Sequence, residues 1–202
     1  MRYWTATVFQ TGRIGGPATA ANECLVAVLA RAGLAPHTLP GAAAALILSA
    51  TVVVAAGRGM RHALAAGQDG LALTLNAFAA LLISPVSWSH HWVWCAPALL
   101  TLSDLARRHH RRLAGAAAAA GLVLFTAAPQ WWLAKFARPA PTWAPWQQAI
   151  GSSYVAFAAL VLLLAASGRF TAGVLDGRRP PYLSIFGRTG RGARSRPGSP
   201  GP

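Results

Sequence analysis

The stretch LPGAAAALILSATVVVAA, residues Leu39–Ala56, decides the fold class of this chain. It carries no charged side chain, and its centre holds the aliphatic groups Leu46–Leu48 and Val52–Val54. A helix that crosses the hydrocarbon core of a bilayer needs about 20 apolar residues, with a range of about 17–25. The stretch therefore predicts a transmembrane helix.

Four more apolar runs follow this stretch along the chain. They are Gly70–Val86, Trp92–Ala106, Leu113–Ala128 and Ser152–Ser167. Pro97 lies inside the third of these five runs and predicts a kink there. The pattern predicts an all-α, polytopic integral membrane protein with about five transmembrane helices.

Composition divides the chain into three regions. Residues 1–38 are predicted to form an outer-face loop with a short helix, and residues 39–168 the transmembrane helical domain. That domain includes a Trp-rich outer loop at 129–150, whose indoles are expected either in an interfacial belt or in a platform for a sugar or lipid headgroup. Residues 169–202 are mainly Gly, Pro, Ser and Arg, which predicts a disordered basic cytoplasmic tail.

Charge gives the predicted orientation. The chain is 54% hydrophobic and only 11% charged, with a formal net charge of +14. Its basic residues occur in short groups between apolar runs, which argues against a nucleic-acid partner, since such binders cluster their basic side chains. Thirteen follow the first, third and fifth runs, and five lie on the other side. Because cytoplasmic loops are rich in Arg and Lys, the N-terminus is predicted outside and the C-terminus in the cytoplasm of a multi-pass plasma-membrane protein.

The segment Ser84–Trp94, SPVSWSHHWVW, is predicted at the outer mouth of the second and third helices. Ionisable groups at membrane depth usually face a cavity, a pathway or a partner. Histidine titrates near neutral pH and suits proton transfer. Adjacent residues of an α-helix point about 100° apart. One of His90 and His91 is therefore expected to act as a base or phosphate contact, and the other to orient a neighbour.

Other side chains near this predicted mouth suit a phosphosugar substrate. Hydroxyls donate to phosphate or sugar oxygens, indoles stack on sugar rings, and a guanidinium binds phosphate. The candidate substrate-binding residues are Arg13, Ser87, Trp88, Ser89, Trp92 and Trp94. No metal ligand set is predicted, since adjacent histidines do not converge readily on one ion. A haem or metal site at His90 or His91 is the weakest alternative. Nothing in the sequence indicates a nucleotide cofactor.

These residues carry a family resemblance. SPVSWSHHWVW resembles a motif of the actinobacterial family 87 glycosyltransferases, polytopic enzymes of the GT-C class. The segment Tyr3–Arg31 is similar to an outer-face segment of those proteins that contains an Asn-Gln-Ser-Leu stretch. Here that stretch reads Asn22-Glu23-Cys24-Leu25, so Glu23 and Cys24 depart from the commoner pattern.

The resemblance implies a function. The family transfers mannose from polyprenyl-phosphate mannose to a lipid-linked or polysaccharide acceptor on the outer face of the plasma membrane. It implies a partial GT-C fold here, corresponding to the C-terminal half, since the acidic residue of the family's first outer loop has no counterpart. We therefore expect a glycolipid or lipoglycan acceptor, membrane lipids and a missing N-terminal half as partners. The alternative is a truncated paralogue or non-enzymatic membrane subunit.

Overall fold

The structure is a computed structural model that describes residue 16 and residues 18–133 and 142–172. Arg13, part of the Trp-rich loop and the chain from residue 173 onward lie outside the described residues. The predicted phosphate contact of Arg13 and the predicted disorder of the tail therefore stay predictions.

The described part of the chain is all-α, as predicted. Its α-helices are α1 Leu25–Arg31, α2 Leu39–Ala65, α3 Asp69–Ile83, α4 Cys95–Arg108, α5 Arg112–Ala127, α6 Pro145–Gly151 and α7 Ser153–Ala166. Two 3-10 turns, Ser89–Trp94 and Pro129–Trp132, precede α4 and follow α5.

Two stretches are long and apolar enough to cross a membrane. They are α2, with 27 residues, and Arg112–Trp132, with 21 residues. Helices α6 and α7 form a pair bent by 69°, which makes a third span if the pair is counted as one. By length and composition, the described residues hold two or three candidate spans, so the predicted number of about five is too high.

The other two predicted spans fall short because their helices are short. Helix α3 has 15 residues, a length of about 22 Å, against a hydrocarbon core of about 30 Å. It ends at Ile83 because a residue before proline, here Ser84 before Pro85, is disfavoured in the α conformation. The run that begins at Trp92 opens in a 3-10 turn, which leaves 14 residues for α4. Pro97 lies in the first turn of α4, where proline is tolerated without a kink.

The helices pack in two groups joined by a shared core. Helix α2 lies against α3 and α7, and α4 lies against α5. Gly59 lets α2 approach closely, since a Cβ there would lie 3.0 Å from the Ala165 Cβ and the Leu75 Cδ1. The absence of a side chain at this position therefore sets the distance between α2 and its two neighbours.

An aromatic cluster holds the Ser89–Trp94 turn against the helices. The Trp92 ring centroid lies 5.4 Å from that of Tyr154, 6.1 Å from Phe78 and 6.2 Å from Phe125. These three partners belong to α7, α3 and α5, and Trp92 itself is only 2% exposed. Aromatic pairs at such distances stabilise a core beyond the area they bury. Trp92 therefore anchors the turn that carries the two histidines.

Candidate functional site

The two motifs singled out in the sequence meet in the structure. Asn22 and Trp88 form an isolated antiparallel β-bridge. The Ser89 amide donates a hydrogen bond of 2.9 Å to the Ala21 carbonyl. The N-terminal segment therefore lies directly beside the segment that carries His90 and His91.

Ser87 is the centre of this junction. Its amide donates to the Asn22 Oδ1 at 2.9 Å, and its carbonyl accepts from the Glu23 amide at 2.7 Å. Its hydroxyl donates to the Leu81 carbonyl at 2.7 Å, and the residue is 1% exposed. The hydroxyl that the sequence predicted as a substrate donor is thus engaged in joining the end of α3 to the junction.

The two histidines lie next to each other on the exposed side of the 3-10 turn. Their ring centroids are 4.4 Å apart and the rings meet edge to face. The sequence predicted that the two side chains would diverge, but the turn brings the rings into contact. Both are therefore available to one bound molecule.

His91 has a defined hydrogen-bonding state. Its Nδ1 accepts a hydrogen bond of 3.2 Å from the Trp88 amide. Burial and the neighbouring His90 lower the pKa of His91, which favours the neutral ring. In a neutral ring whose Nδ1 is an acceptor, the proton is on Nε2. His91 is therefore a donor through Nε2.

An open groove of about 560 Å³ lies beside the pair. One wall is formed by α3, and the other by the 3-10 turn and the chain before it. Its apolar lining consists of Leu73, Ala77, Ala80, Leu81, Val86, Val93 and Trp94, and its polar lining of Asn76, Ser84, Ser87, His90 and His91. The groove brings together four of the predicted site residues: Ser87, His90, His91 and Trp94.

The other predicted residues have different positions. Trp92 points into the aromatic cluster, away from the groove. Trp88 and Ser89 belong to the junction, and neither lines the groove. Sequence reasoning missed Asn76, which lines the groove from α3. A lone amide within the apolar run of α3 was the available signal.

Arg31 is a second residue whose role the sequence did not reveal. It is one of the five basic residues that the charge pattern predicts on the outer side, but it is completely buried. Its Nη1 donates to the carbonyls of Thr19 (3.0 Å) and Asn22 (2.8 Å), and its Nη2 donates to the Ser152 Oγ (2.9 Å). Its guanidinium also lies 4.7 Å from the Trp143 ring centroid. Arg31 therefore ties the N-terminal segment to the bend between α6 and α7.

Glu23 is also completely buried, beside the same junction. Neither carboxyl oxygen has a hydrogen-bond partner among the described residues. Burial raises the pKa of Glu23 to about 8, although the charge of Arg31 acts in the opposite direction. The carboxyl is therefore mainly protonated at neutral pH.

Neither cysteine belongs to a disulfide or a metal site in the described part of the chain. Cys24 and Cys95 are free thiols, and the Cys24 thiol donates to the Pro85 carbonyl at 3.6 Å. Residues 16, 18–133 and 142–172 contain no group of three His, Cys, Asp or Glu side chains placed to hold a metal ion.

Curated proteins similar to this chain are mannosyltransferases. A polyprenol-phosphate-mannose-dependent alpha-(1-2)-phosphatidylinositol mannoside mannosyltransferase of Mycobacterium tuberculosis is 36% identical over 166 residues, which is 81% of this chain and 37% of that protein. The protein of the same description from Mycolicibacterium smegmatis is 38% identical over 181 residues, 86% of this chain and 41% of that protein.

A third relative from Mycobacterium tuberculosis, described as a phosphatidylinositol pentamannoside mannosyltransferase, is 31% identical over 171 residues. No protein-family model and no solved structure matches the chain. The chain spans about two fifths of the length of the curated relatives it matches. The chain is therefore a partial homologue of the polyprenol-phosphate-mannose-dependent mannosyltransferases of the GT-C class, which confirms the resemblance predicted from its motifs.

Proposed function

We propose that the chain is the C-terminal part of a membrane mannosyltransferase that uses polyprenyl-phosphate mannose at the His90–His91 groove. The acceptor is a lipid-linked or polysaccharide hydroxyl on the outer face of the plasma membrane. The observation that carries the proposal is the placement of two contacting histidines at an otherwise largely apolar groove. This combination suits a donor with a lipid chain and a phosphate, the donor class named for the relatives.

The histidines have different roles in this proposal. The acceptor oxygen attacks the anomeric carbon, the bond between that carbon and the phosphate oxygen breaks, and the acceptor proton must be removed. No hydrogen bond reaches the exposed His90 ring from the described residues, so this ring is available as the base. His91 donates through Nε2 to the leaving phosphate, because its Nδ1 is occupied by the Trp88 amide.

The groove walls suit the rest of the donor. Leu73, Ala77 and Ala80 offer apolar contact to the first isoprene units, and Asn76 is a polar group between them. Trp94 is 40% exposed at the groove and is placed to stack on the sugar. Trp92 acts by anchoring the turn, which is a positioning role.

The proposed orientation follows from the basic residues. Arg58 and Arg61 lie in the C-terminal part of α2, and Arg107 and Arg108 end α4. These ends lie away from the His-bearing turn, which precedes α4. With the basic ends cytoplasmic, the groove faces the outer side of the membrane.

The same geometry favours a second candidate, a subunit that is catalytically incomplete by itself. Among the described acidic side chains, Glu23 is buried and does not line the groove. Asp69 and Asp104 line a separate concavity at the opposite end of α3. The described residues therefore supply the groove with histidines but with no carboxylate.

Transfer assays on the purified chain in lipid nanodiscs test the proposal. The donor is polyprenyl-phosphate mannose with a radiolabelled sugar, and the acceptor is a phosphatidylinositol mannoside. We expect His90→Ala to lower the rate about 10²–10⁴-fold, the range for loss of a general base. His37→Ala is the matched control, because His37 is exposed and lies outside the groove.

A donor-binding measurement separates the two candidates. Binding of labelled donor that His91→Ala weakens, without transfer by this chain, supports the incomplete subunit. Transfer that appears only when the N-terminal half of a mycobacterial relative is added supports the same conclusion. Absence of donor binding in wild-type protein would refute the proposed site.

A further inference from the structure

Glu23 lies where the two motifs join. Its amide donates to the Ser87 carbonyl at 2.7 Å. The residues on either side of it also bond to the second motif: Asn22 accepts from the Ser87 amide, and Cys24 donates to the Pro85 carbonyl. A displacement of Glu23 therefore displaces the chain that leads into His90 and His91.

The Glu23 side chain is buried without the partners that a carboxylate needs. It has no exposed surface, and both oxygens lack a hydrogen bond among residues 18–133 and 142–172. A buried carboxylate is strongly unfavourable unless it is paired and hydrogen-bonded. The environment of Glu23 therefore suits the protonated form.

The cation that faces Glu23 is engaged through its Nη groups, whereas its buried Nε has no hydrogen-bond partner among the described residues. Arg31 on α1 interacts electrostatically with Glu23, but its Nη groups donate to Thr19, Asn22 and Ser152. No ion pair joins Arg31 and Glu23 in the described structure. The other titratable groups around Glu23 are its neighbour Cys24 and Tyr154 on α7, and neither is a cation.

We propose that Glu23 is a positioning residue whose protonated side chain keeps the N-terminal segment paired with the His-bearing segment, and whose ionisation separates them. Charging the carboxyl creates a buried anion whose oxygens have no hydrogen-bond partner, which water can supply only if the junction opens. Opening breaks the Glu23–Ser87 bond and moves the histidines relative to α3. An effect on mannosyl transfer rests on the proposed function, but the opening itself does not.

The direction of the pH dependence follows from linkage. Well below pH 4.5 the carboxyl is protonated in both the folded and the unfolded chain. Between pH 4.5 and about 8, the unfolded chain releases the proton while the folded chain retains it, so stability falls as pH rises. Above about pH 8 the carboxyl is ionised in both states, so the loss of stability is complete and the junction opens most readily.

Hydrogen–deuterium exchange of the chain in nanodiscs measures this opening. We compare peptides covering residues 21–24 and 84–89 between pH 6.5 and 9.5, after correction for the intrinsic exchange rate. Protection in wild-type protein is expected to fall by up to about tenfold for each pH unit up to about pH 8 and to level off above it, because there the carboxyl is ionised in both the closed and the open junction. Glu23→Gln, which cannot ionise, is expected to remain protected throughout, and Glu23→Met replaces it if the amide variant does not fold.

Asp69→Asn is the matched control, because it removes an exposed carboxyl from the far end of α3. It should retain the wild-type pH dependence. Constant protection up to pH 9.5 in wild-type protein, or an unchanged loss in Glu23→Gln, would overturn the proposal. Mannosyl transfer measured on the same samples separates the Glu23 proposal from the proposed function. Opening that depends on pH, without transfer, supports the positioning role of Glu23. Transfer together with protection that does not depend on pH refutes that role.

Discussion

Arg31 offers the sharpest test of how the junction is held together. Replacing it with Met keeps an unbranched apolar stem and removes the guanidinium. The Thr19 and Asn22 carbonyls and the Ser152 hydroxyl then lose a buried, charged donor. The contact of the guanidinium with the Trp143 ring is lost as well.

The cost of this substitution is substantial. A hydrogen bond from a charged donor contributes about 1.5–3 kcal/mol. The three bonds share one side chain and are not additive, so we expect a loss of about 3–5 kcal/mol, the range for disrupting a buried charge network. For a protein of this size, that corresponds to a melting temperature lowered by roughly 6–20 °C.

Thermal unfolding of the detergent-solubilised protein, followed by tryptophan fluorescence, measures the effect. Arg31→Lys keeps the charge but has no planar fork for three acceptors, so we expect an intermediate loss. Arg61→Met is the control, because Arg61 is exposed on α2. A melting temperature of Arg31→Met within about 2 °C of wild type, well below the expected shift, would refute the bonding described for Arg31.

Three further predictions concern single residues. Trp92→Ala should lower the free energy of unfolding by about 3–5 kcal/mol in chemical denaturation, because it removes the central ring of the aromatic cluster. Trp94→Ala, at a partly exposed position, should leave the unfolding midpoint nearly unchanged. Equal effects of the two substitutions would contradict this packing. Gly151→Ala should lower the free energy of unfolding by about 1–3 kcal/mol, because the added Cβ would overlap the Trp143 ring. Gly57→Ala, with open space around it, should be neutral or stabilising. An unchanged stability of Gly151→Ala would refute the contact with Trp143. In an NMR titration of labelled histidines, the pKa of His91 should lie below the ordinary histidine value, because burial and His90 disfavour its charge. An ordinary or raised pKa would contradict this environment.

The number of candidate spans shows that hydropathy alone does not predict how many helices are long enough to cross a membrane. The apolar runs located α2, α3, α4, α5 and α7 to within a few residues at most ends. Their lengths were set by local geometry instead: Pro85 stops α3, and the 3-10 turn shortens α4. An apolar run records which residues avoid water, whereas a span requires one continuous helix.

The His-bearing segment likewise has features that its composition predicts and others that depend on the tertiary structure. Its composition predicts a functional role, which stays a prediction, and the structure places both histidines at a groove. Composition did not distinguish the three indoles near them. Trp92 faces the aromatic cluster, Trp94 lines the groove and Trp88 joins the β-bridge, because each direction depends on the neighbouring helices.

The sequence by itself determined the all-α class, the apolar character of the long helices and the family resemblance, because hydropathy and motifs are local properties of the chain. Only the tertiary structure decided that the two motifs bond to each other and that Arg31 and Glu23 are buried at their junction. Those outcomes depend on contacts between residues far apart in the chain, such as Asn22 with Ser87 and Arg31 with Ser152. Long-range pairing is decided by which buried polar groups can satisfy each other once the helices pack, and no local pattern records it.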